Sequence, residues 1–194
     1  KTDNSVLRAK AENLASMLYQ FKNIEEYNVN YENIVNAIRL VAPFFNDFIL
    51  EPDNTGFILP KWTQKGTDKT FDFYDLSDGT LRFICLATLL LQPLKFIPPV
   101  ILIDEPELGL HPYAIKVLAS IMKSITKQGK QLIASSQSVT LINEFSPNNI
   151  LIADRCNNET IIKRLNKDKI KEWLDEYCIG DIWEKNVIGG NPDG

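Results

Sequence analysis

The sequence predicts an α/β fold: a mostly parallel sheet with flanking helices, preceded by a helical segment and a small antiparallel strand meander. Three features predict it. The run Val100-Ile101-Leu102-Ile103 is continuously apolar and mostly β-branched. It lacks the polar alternation of a half-exposed strand and so reads as a strand covered on both faces. A helical stretch from Pro112 to about Lys127 opens on proline in its first turn and closes just before Gly129, the usual asymmetry of helix ends. Gln131 to Ala134 then returns as a second buried strand, and strand–helix–strand order implies a right-handed crossover between parallel strands.

Taken in order, residues 1–45 form the helical segment. Asn4-Ser5 suits an N-cap, and Val6, Leu7, Leu14, Met17, Leu18 and Phe21 recur at helical spacing. A second helical pattern runs through Ile34, Ala37, Ile38 and Val41 until Pro43 stops it. Residues 46–75 read as antiparallel strands, Asp47 to Glu51, Gly56 to Trp62 and Thr70 to Tyr74, with Gly56 and Gly66 in the connections. Residues 76–194 form the core. They begin with a helix from about Asp78 to Leu91 and continue through the strand and helix already described. A short helix (Val139 to Phe145), two strands (Asn149 to Ala153 and Thr160 to Arg164) and a last helix (about Lys167 to Tyr177) complete them before the tail Gly189-Gly190-Asn191-Pro192.

Composition narrows the class. With 194 residues, 44% hydrophobic and 24% charged, the chain is an ordinary globular protein of about one domain. Its longest apolar runs fall far short of the roughly 20 residues needed to cross a bilayer, and there is no secretory leader pattern, so a cytoplasmic protein with no membrane partner is expected. The net charge of −4 argues against a wholly basic nucleic-acid-binding module. Cys85, Cys156 and Cys178 form no C-x-x-C pair; they are expected as free thiols in a reducing compartment, each a small buried hydrophobe.

The chemistry concentrates in Val100-Ile101-Leu102-Ile103-Asp104-Glu105-Pro106-Glu107. Adjacent acids emerge here at the carboxyl end of a strand, the edge at which open α/β sheets place ligands. Two neighbouring carboxylates repel unless a cation or a task separates them; one can support Mg2+ while the other orients or deprotonates water. Taken alone, the pattern fits a strand running into an acidic turn equally well. A second motif, Leu76-Ser77-Asp78-Gly79-Thr80, opens the preceding helix. Ser77 can cap that helix, and Gly79 leaves the approach to its amides and positive dipole end open to an anion.

Together, LSDGT and ILIDEPE, followed by Leu108-Gly109-Leu110-His111-Pro112, resemble the signature motif, Walker B and D-loop of ABC-type ATPase heads. The resemblance is to the RecF/SMC-like predicted AAA ATPase branch, related also to the overcoming-lysogenization-defect nucleases. It implies the C-terminal lobe of a P-loop ATPase that binds and hydrolyses ATP with Mg2+ as a dimer of heads, a homodimer being expected. It further implies that Asp104 assists Mg2+, that Glu105 is the catalytic base, and that Ser77, Asp78, Gly79 and Thr80 contact the ATP γ-phosphate in trans. The cycle would drive or gate an effector protein or a DNA transaction.

Two departures qualify that expectation. Where relatives generally carry a switch histidine, the strand at Gln131 to Ala134 runs into Ser135-Ser136-Gln137-Ser138. An amide at Gln137 can hydrogen-bond a γ-phosphate or water but cannot become cationic, which suits either slow hydrolysis or an ATP-dependent switch controlling an effector of antiphage or toxin type. His111, the sole histidine, precedes a helix-starting proline and is expected to act locally or at a dimer seam. Second, nothing in the chain matches G-x-x-x-x-G-K-[ST]. The P-loop half is expected upstream, and this chain alone is expected to be inactive. A Mg2+-dependent nuclease using Asp104, Glu105 and Glu107 would share the acids but leave the serine-started helix unexplained.

Overall fold

The computed structural model describes residues 6–8, 10–156 and 158–190. The chain divides into two compact units, Lys1–Ala134 and Ser135–Gly194.

In the first unit, α1 (Leu14–Asn23) and α2 (Glu25–Val41) meet at the extended residue Ile24. Leu14, Met17, Leu18 and Phe21 line the buried stripe of α1, as helical spacing requires. The helix starts later than the spacing of Val6 and Leu7 predicts. Ala11 takes a left-handed backbone (φ 55°), and the buried Asn13 side chain accepts from the Arg8 amide and donates to the Val6 carbonyl. That local turn uses backbone groups a longer helix would need. The expected cap at Asn4-Ser5 lies outside the described residues.

Tyr31, Ile34, Val35 and Ile38 of α2 are buried. Tyr31 donates its hydroxyl to Asp47 Oδ1 at 2.6 Å, while Lys22 Nζ reaches Asp47 Oδ2 at 2.8 Å and the Phe48 carbonyl at 2.9 Å. This network ties both helices to β1 (Phe45–Ile49). Burial, reinforced by the Asp47 carboxylate, pushes the Tyr31 hydroxyl far above its ordinary pKa.

β1, β2 (Lys61–Gln64) and β3 (Thr70–Asp72) form an antiparallel sheet with β2 in the centre. Trp62 anchors it, stacked on Phe71 at 4.6 Å and on Phe45 at 5.9 Å. The middle strand begins later than Gly56. Asp53 Oδ1 accepts from the Thr55 and Phe57 amides, folding that stretch into a turn, and Pro60 precedes the strand.

α3 (Asp78–Leu91) has the bounds its sequence predicts, with Pro93 beyond Gln92 enforcing the stop. α4 (Pro112–Lys127) buries Ala114, Leu118, Ala119, Met122 and Ile125 on one stripe. α2, α3 and α4 pack against one another. β4 (Val100–Asp104) pairs with β5 (Gln131–Ser135) as a two-stranded sheet. Neither strand is covered on both faces as the apolar runs predict. Ile101 is buried, but Leu102 is 74% exposed, and Val100 and Ile133 are also exposed. Side chains alternate across a strand, so one face of β4 is packed and the other is open in this chain.

The second unit contains α5 (Val139–Ile142), an antiparallel hairpin of β6 (Leu151–Cys156) and β7 (Glu159–Arg164), α6 (Lys171–Leu174) and α7 (Ile179–Glu184). Ile152, Leu165, Ile170 and Ile179 form its core. The last helix predicted over Lys167 to Tyr177 is broken into a 3-10 turn and the single-turn α6, and α7 follows it. Position 180 must be glycine for α7 to sit there, because a Cβ would lie 2.7 Å from Val139 Cγ1 and 2.8 Å from Asn143 Oδ1. Asp154 accepts from Lys163 Nζ at 2.7 Å and from the Gly190 amide, and these bonds hold its carboxyl below the usual range.

Cys178, expected to be buried, is exposed at the start of α7, whereas Cys85 is half-buried in α3 and burial raises its thiol pKa. The thiolate is the reactive form. At neutral pH a maleimide should therefore label Cys178 at least about tenfold faster than Cys85 in the native protein. Peptide mass spectrometry reads the ratio, and equal rates would contradict this placement.

Candidate functional site

The two motifs singled out in the sequence meet in the first unit. Ser77, in extended conformation, caps α3: its Oγ accepts from the Thr80 amide at 3.2 Å and lies 2.9 Å from Thr80 Oγ1. The Asp78 and Gly79 amides occupy the first turn, where helical geometry supplies no acceptor. Ser77 and Asp78 are exposed, and Gly79 and Thr80 are half-buried. A polar, positively poised helix start thus faces outward while Leu76, just before it, is buried and fixes the entry of the chain.

β4 delivers Asp104, exposed at its carboxyl end, and Glu105 directly beyond it. Glu105 has φ 42°, a left-handed backbone that costs a residue bearing a Cβ about 1–2 kcal/mol. The conformation turns the chain sharply as it leaves the strand. The Glu105 carbonyl accepts from the Leu108 amide at 3.1 Å, and the Glu107 carbonyl accepts from the Leu110 amide at 2.9 Å. Gly109 supplies a second left-handed residue at φ 77°. Pro106 is buried between these turns.

Two contacts join the turn to α3. A Cβ at position 79 would lie 2.2 Å from the Gly109 carbonyl oxygen and 3.2 Å from its carbon, so Gly79 lets the two backbones approach directly. Arg82, on the same helix, donates from Nη2 to the Glu105 carbonyl at 2.7 Å and the Asp104 carbonyl at 3.3 Å. The sequence favours a surface or structural role for Arg82 over contact with a phosphate or an acidic neighbour, and the structure puts its guanidinium on main-chain oxygens. An arginine within α3 is no signal for that, since the partner groups carry no side-chain identity.

His111 serves as the N-cap of α4, its Nδ1 accepting from the Tyr113 amide at 3.3 Å, with Pro112 at the first helical position. That is the local role expected of it. Gln137 belongs to the second unit and is exposed in the connection from β5 to α5, where Ser138 caps α5. Among the described residues no group of three or more His, Cys, Asp or Glu is arranged to hold a metal ion. Asp104 is an exposed hard-oxygen donor at a strand tip. Such a donor fits Mg2+, which takes one or two carboxylates and completes its shell with water and phosphate oxygens.

The Gly79 contact sets a sign test. In an ordinary helix interior, Gly to Ala gains up to about 1 kcal/mol. Here Gly79→Ala drives a methyl into a fixed backbone carbonyl, and a loss of about 1–3 kcal/mol is expected. Urea unfolding of the variant measures it, and a gain in stability would show that α3 does not sit on the Gly109 carbonyl.

Comparison with known proteins places the chain in a family. The family described as "AAA domain, putative AbiEii toxin, Type IV TA system" matches residues 1–143. UvrABC system protein A of Chlamydia muridarum is 32% identical over 69 residues, covering 36% of this chain and 4% of that protein. Old nuclease of Escherichia phage P2 is 33% identical over 72 residues, covering 37% of this chain and 12% of that protein. The chain thus spans only a small part of the length of these two relatives. Among solved structures, one from work on ATP-driven dimerization and DNA-stimulated activation of SMC ATPases superposes with TM-score 0.59 at 19% identity, covering 83% of this chain and 94% of that one. The Smc head domain with coiled coil and joint from Pyrococcus yayanosii gives TM-score 0.57 at 18% identity, over 87% of this chain and 34% of that one. The chain belongs to this AAA-domain family, and its fold is that of the α/β lobe of ABC/SMC-type ATPase heads.

Proposed function

We propose that this chain is the C-terminal part of an ATP-hydrolysing head that works as a dimer, with the phosphate-binding loop supplied by a segment outside it. The reading is carried by the meeting of the α3 start with the Asp104-Glu105 turn, where an anion-favouring helix end and an acid-bearing strand tip share one backbone junction. Exposed apolar residues on β4 and β5, Val100, Leu102 and Ile133, support a further layer of protein against these strands, because contiguous apolar surface of this kind marks an interaction face.

In this reading the ATP triphosphate lies partly in a P-loop and is closed over by a second head. Asp104 would hold Mg2+, which screens the phosphate charge and orients its oxygens. Glu105 accepts the proton of the attacking water as general base. From the opposite head, Ser77, the amides of Asp78 and Gly79 and the Thr80 hydroxyl meet the γ-phosphate. The Ser77 hydroxyl oxygen accepts from the Thr80 amide, and its own proton remains available to donate to Thr80 Oγ1 or to a phosphate oxygen. An effector protein and DNA are the partner classes such a cycle would serve.

A second reading is favoured by Gln137, which stands exposed after β5: a switch that holds ATP and signals by clamping rather than by turnover. A neutral amide positions water or phosphate but contributes no positive charge to the transition state.

One experiment addresses both. In the full-length protein, Glu105→Gln should slow single-turnover ATP hydrolysis by about 10²–10⁴-fold while ATP binding persists. Hydrolysis at the unsubstituted rate in that variant would remove Glu105 from the mechanism. The unsubstituted protein separates the readings, since a switch retains its bound ATP for minutes and an active head does not.

A further inference from the structure

We propose that Arg82 is a positioning residue that couples the α3 start to the backbone of Glu105, so that engagement of one head by its partner's nucleotide adjusts the acid serving its own. The inference rests on the reading of Glu105 as general base. It begins from an unusual use of an arginine: the guanidinium at the acidic tip of β4 donates to two consecutive main-chain carbonyls, Asp104 at 3.3 Å and Glu105 at 2.7 Å. Both bonds come from one nitrogen, Nη2, whose two N–H groups serve the two neighbouring oxygens.

The residue it holds is one whose backbone is disfavoured. Glu105 is at φ 42°, a conformation that persists only where surrounding structure over-determines it. The Glu105 carbonyl receives the Leu108 amide from within the turn and Arg82 from outside it. The far end of the same turn is fixed by Gly109 against Gly79. Arg82 and Gly79 lie on one helix whose first turn is capped by Ser77. The acidic turn is therefore gripped at both ends by the element that would receive the phosphate of the opposite head. A displacement of the α3 start reaches Glu105 through these two contacts, and the direction of the Glu105 carboxylate follows its φ.

The test uses the full-length ATPase with Arg82→Ala, Arg82→Lys, Glu105→Gln and the Arg82→Ala/Glu105→Gln double variant, scoring kcat, KM for ATP and ATP-dependent dimerisation. Misplacing a reacting group by about 1 Å costs on the order of 10²-fold. Arg82→Ala is therefore expected to lower kcat by about 10–100-fold, with KM and dimerisation within about twofold and part of the rate recovered by Arg82→Lys. Adding Glu105→Gln to Arg82→Ala should cost less than it does alone, because the two residues act as a unit. Unchanged kcat in Arg82→Ala overturns the proposal. So does a parallel collapse of kcat, KM and dimerisation, or the failure of both Arg82 variants to fold, either of which assigns Arg82 a purely structural role. If Glu105→Gln alone leaves hydrolysis intact, the base assignment fails first. If Glu105→Gln abolishes hydrolysis and Arg82→Ala does not alter it, only the coupling fails.

Discussion

The Gly109 carbonyl oxygen occupies the space in which any other residue at position 79 would carry its Cβ. Because α3 can approach that closely, the first turn of the helix and the turn leaving β4 become a single local body, and the Arg82 guanidinium can then reach the carbonyls of Asp104 and Glu105. Every functional feature of the first unit depends on this approach. Ser77 faces outward because α3 is pinned just inside its start, and the acids stand at the exposed end of β4 because the chain turns there under two left-handed residues, Glu105 and Gly109. The strain at Glu105 is local, and it is held by hydrogen bonds that come from outside the strand.

The core beneath this junction is conventional. α2, α3 and α4 pack on one another, with Ile34, Phe83, Ile84 and Leu118 buried, and the Asp47 network with Tyr31 and Lys22 fastens the small sheet to the helices. Both oxygens of this half-buried carboxylate are engaged, one by the Tyr31 hydroxyl and one by Lys22 Nζ. The open face of β4 and the exposed Leu102 have no counterpart in that core. An apolar face of this kind accords with a chain that spans only part of the relatives it matches.

How much of this was legible in the sequence varied with the kind of signal. α3 and α4 could be read to within their caps because Ser77, Pro93, Pro112 and Gly129 are local punctuation whose effect does not depend on tertiary context. The site motifs were legible as motifs, but their junction was not, since a glycine meeting a carbonyl and an arginine meeting main-chain oxygens leave no partner identity in the sequence. The burial of β4 was misread, because a continuous apolar run states what the strand needs and not what this chain provides. The helix Ile179–Glu184 depends on Gly180 seating against Val139 and Asn143, a long-range fit no window of local periodicity contains. At the amino end, Asn13 drew the backbone of residues 6–8 into a turn that the hydrophobic spacing alone had extended as helix.

Amide hydrogen exchange on the full-length Glu105→Gln protein, with and without ATP and Mg2+, tests the shared-phosphate geometry most directly. Occupation of the site should slow exchange in two separate stretches at once, the α3 start at residues 77–80 and the turn at residues 104–109, with α4 unaltered. ATP binding that protects only one of these stretches, or neither, would contradict the claim that a serine-capped helix end and a pair of strand-tip acids serve the same nucleotide-bound assembly.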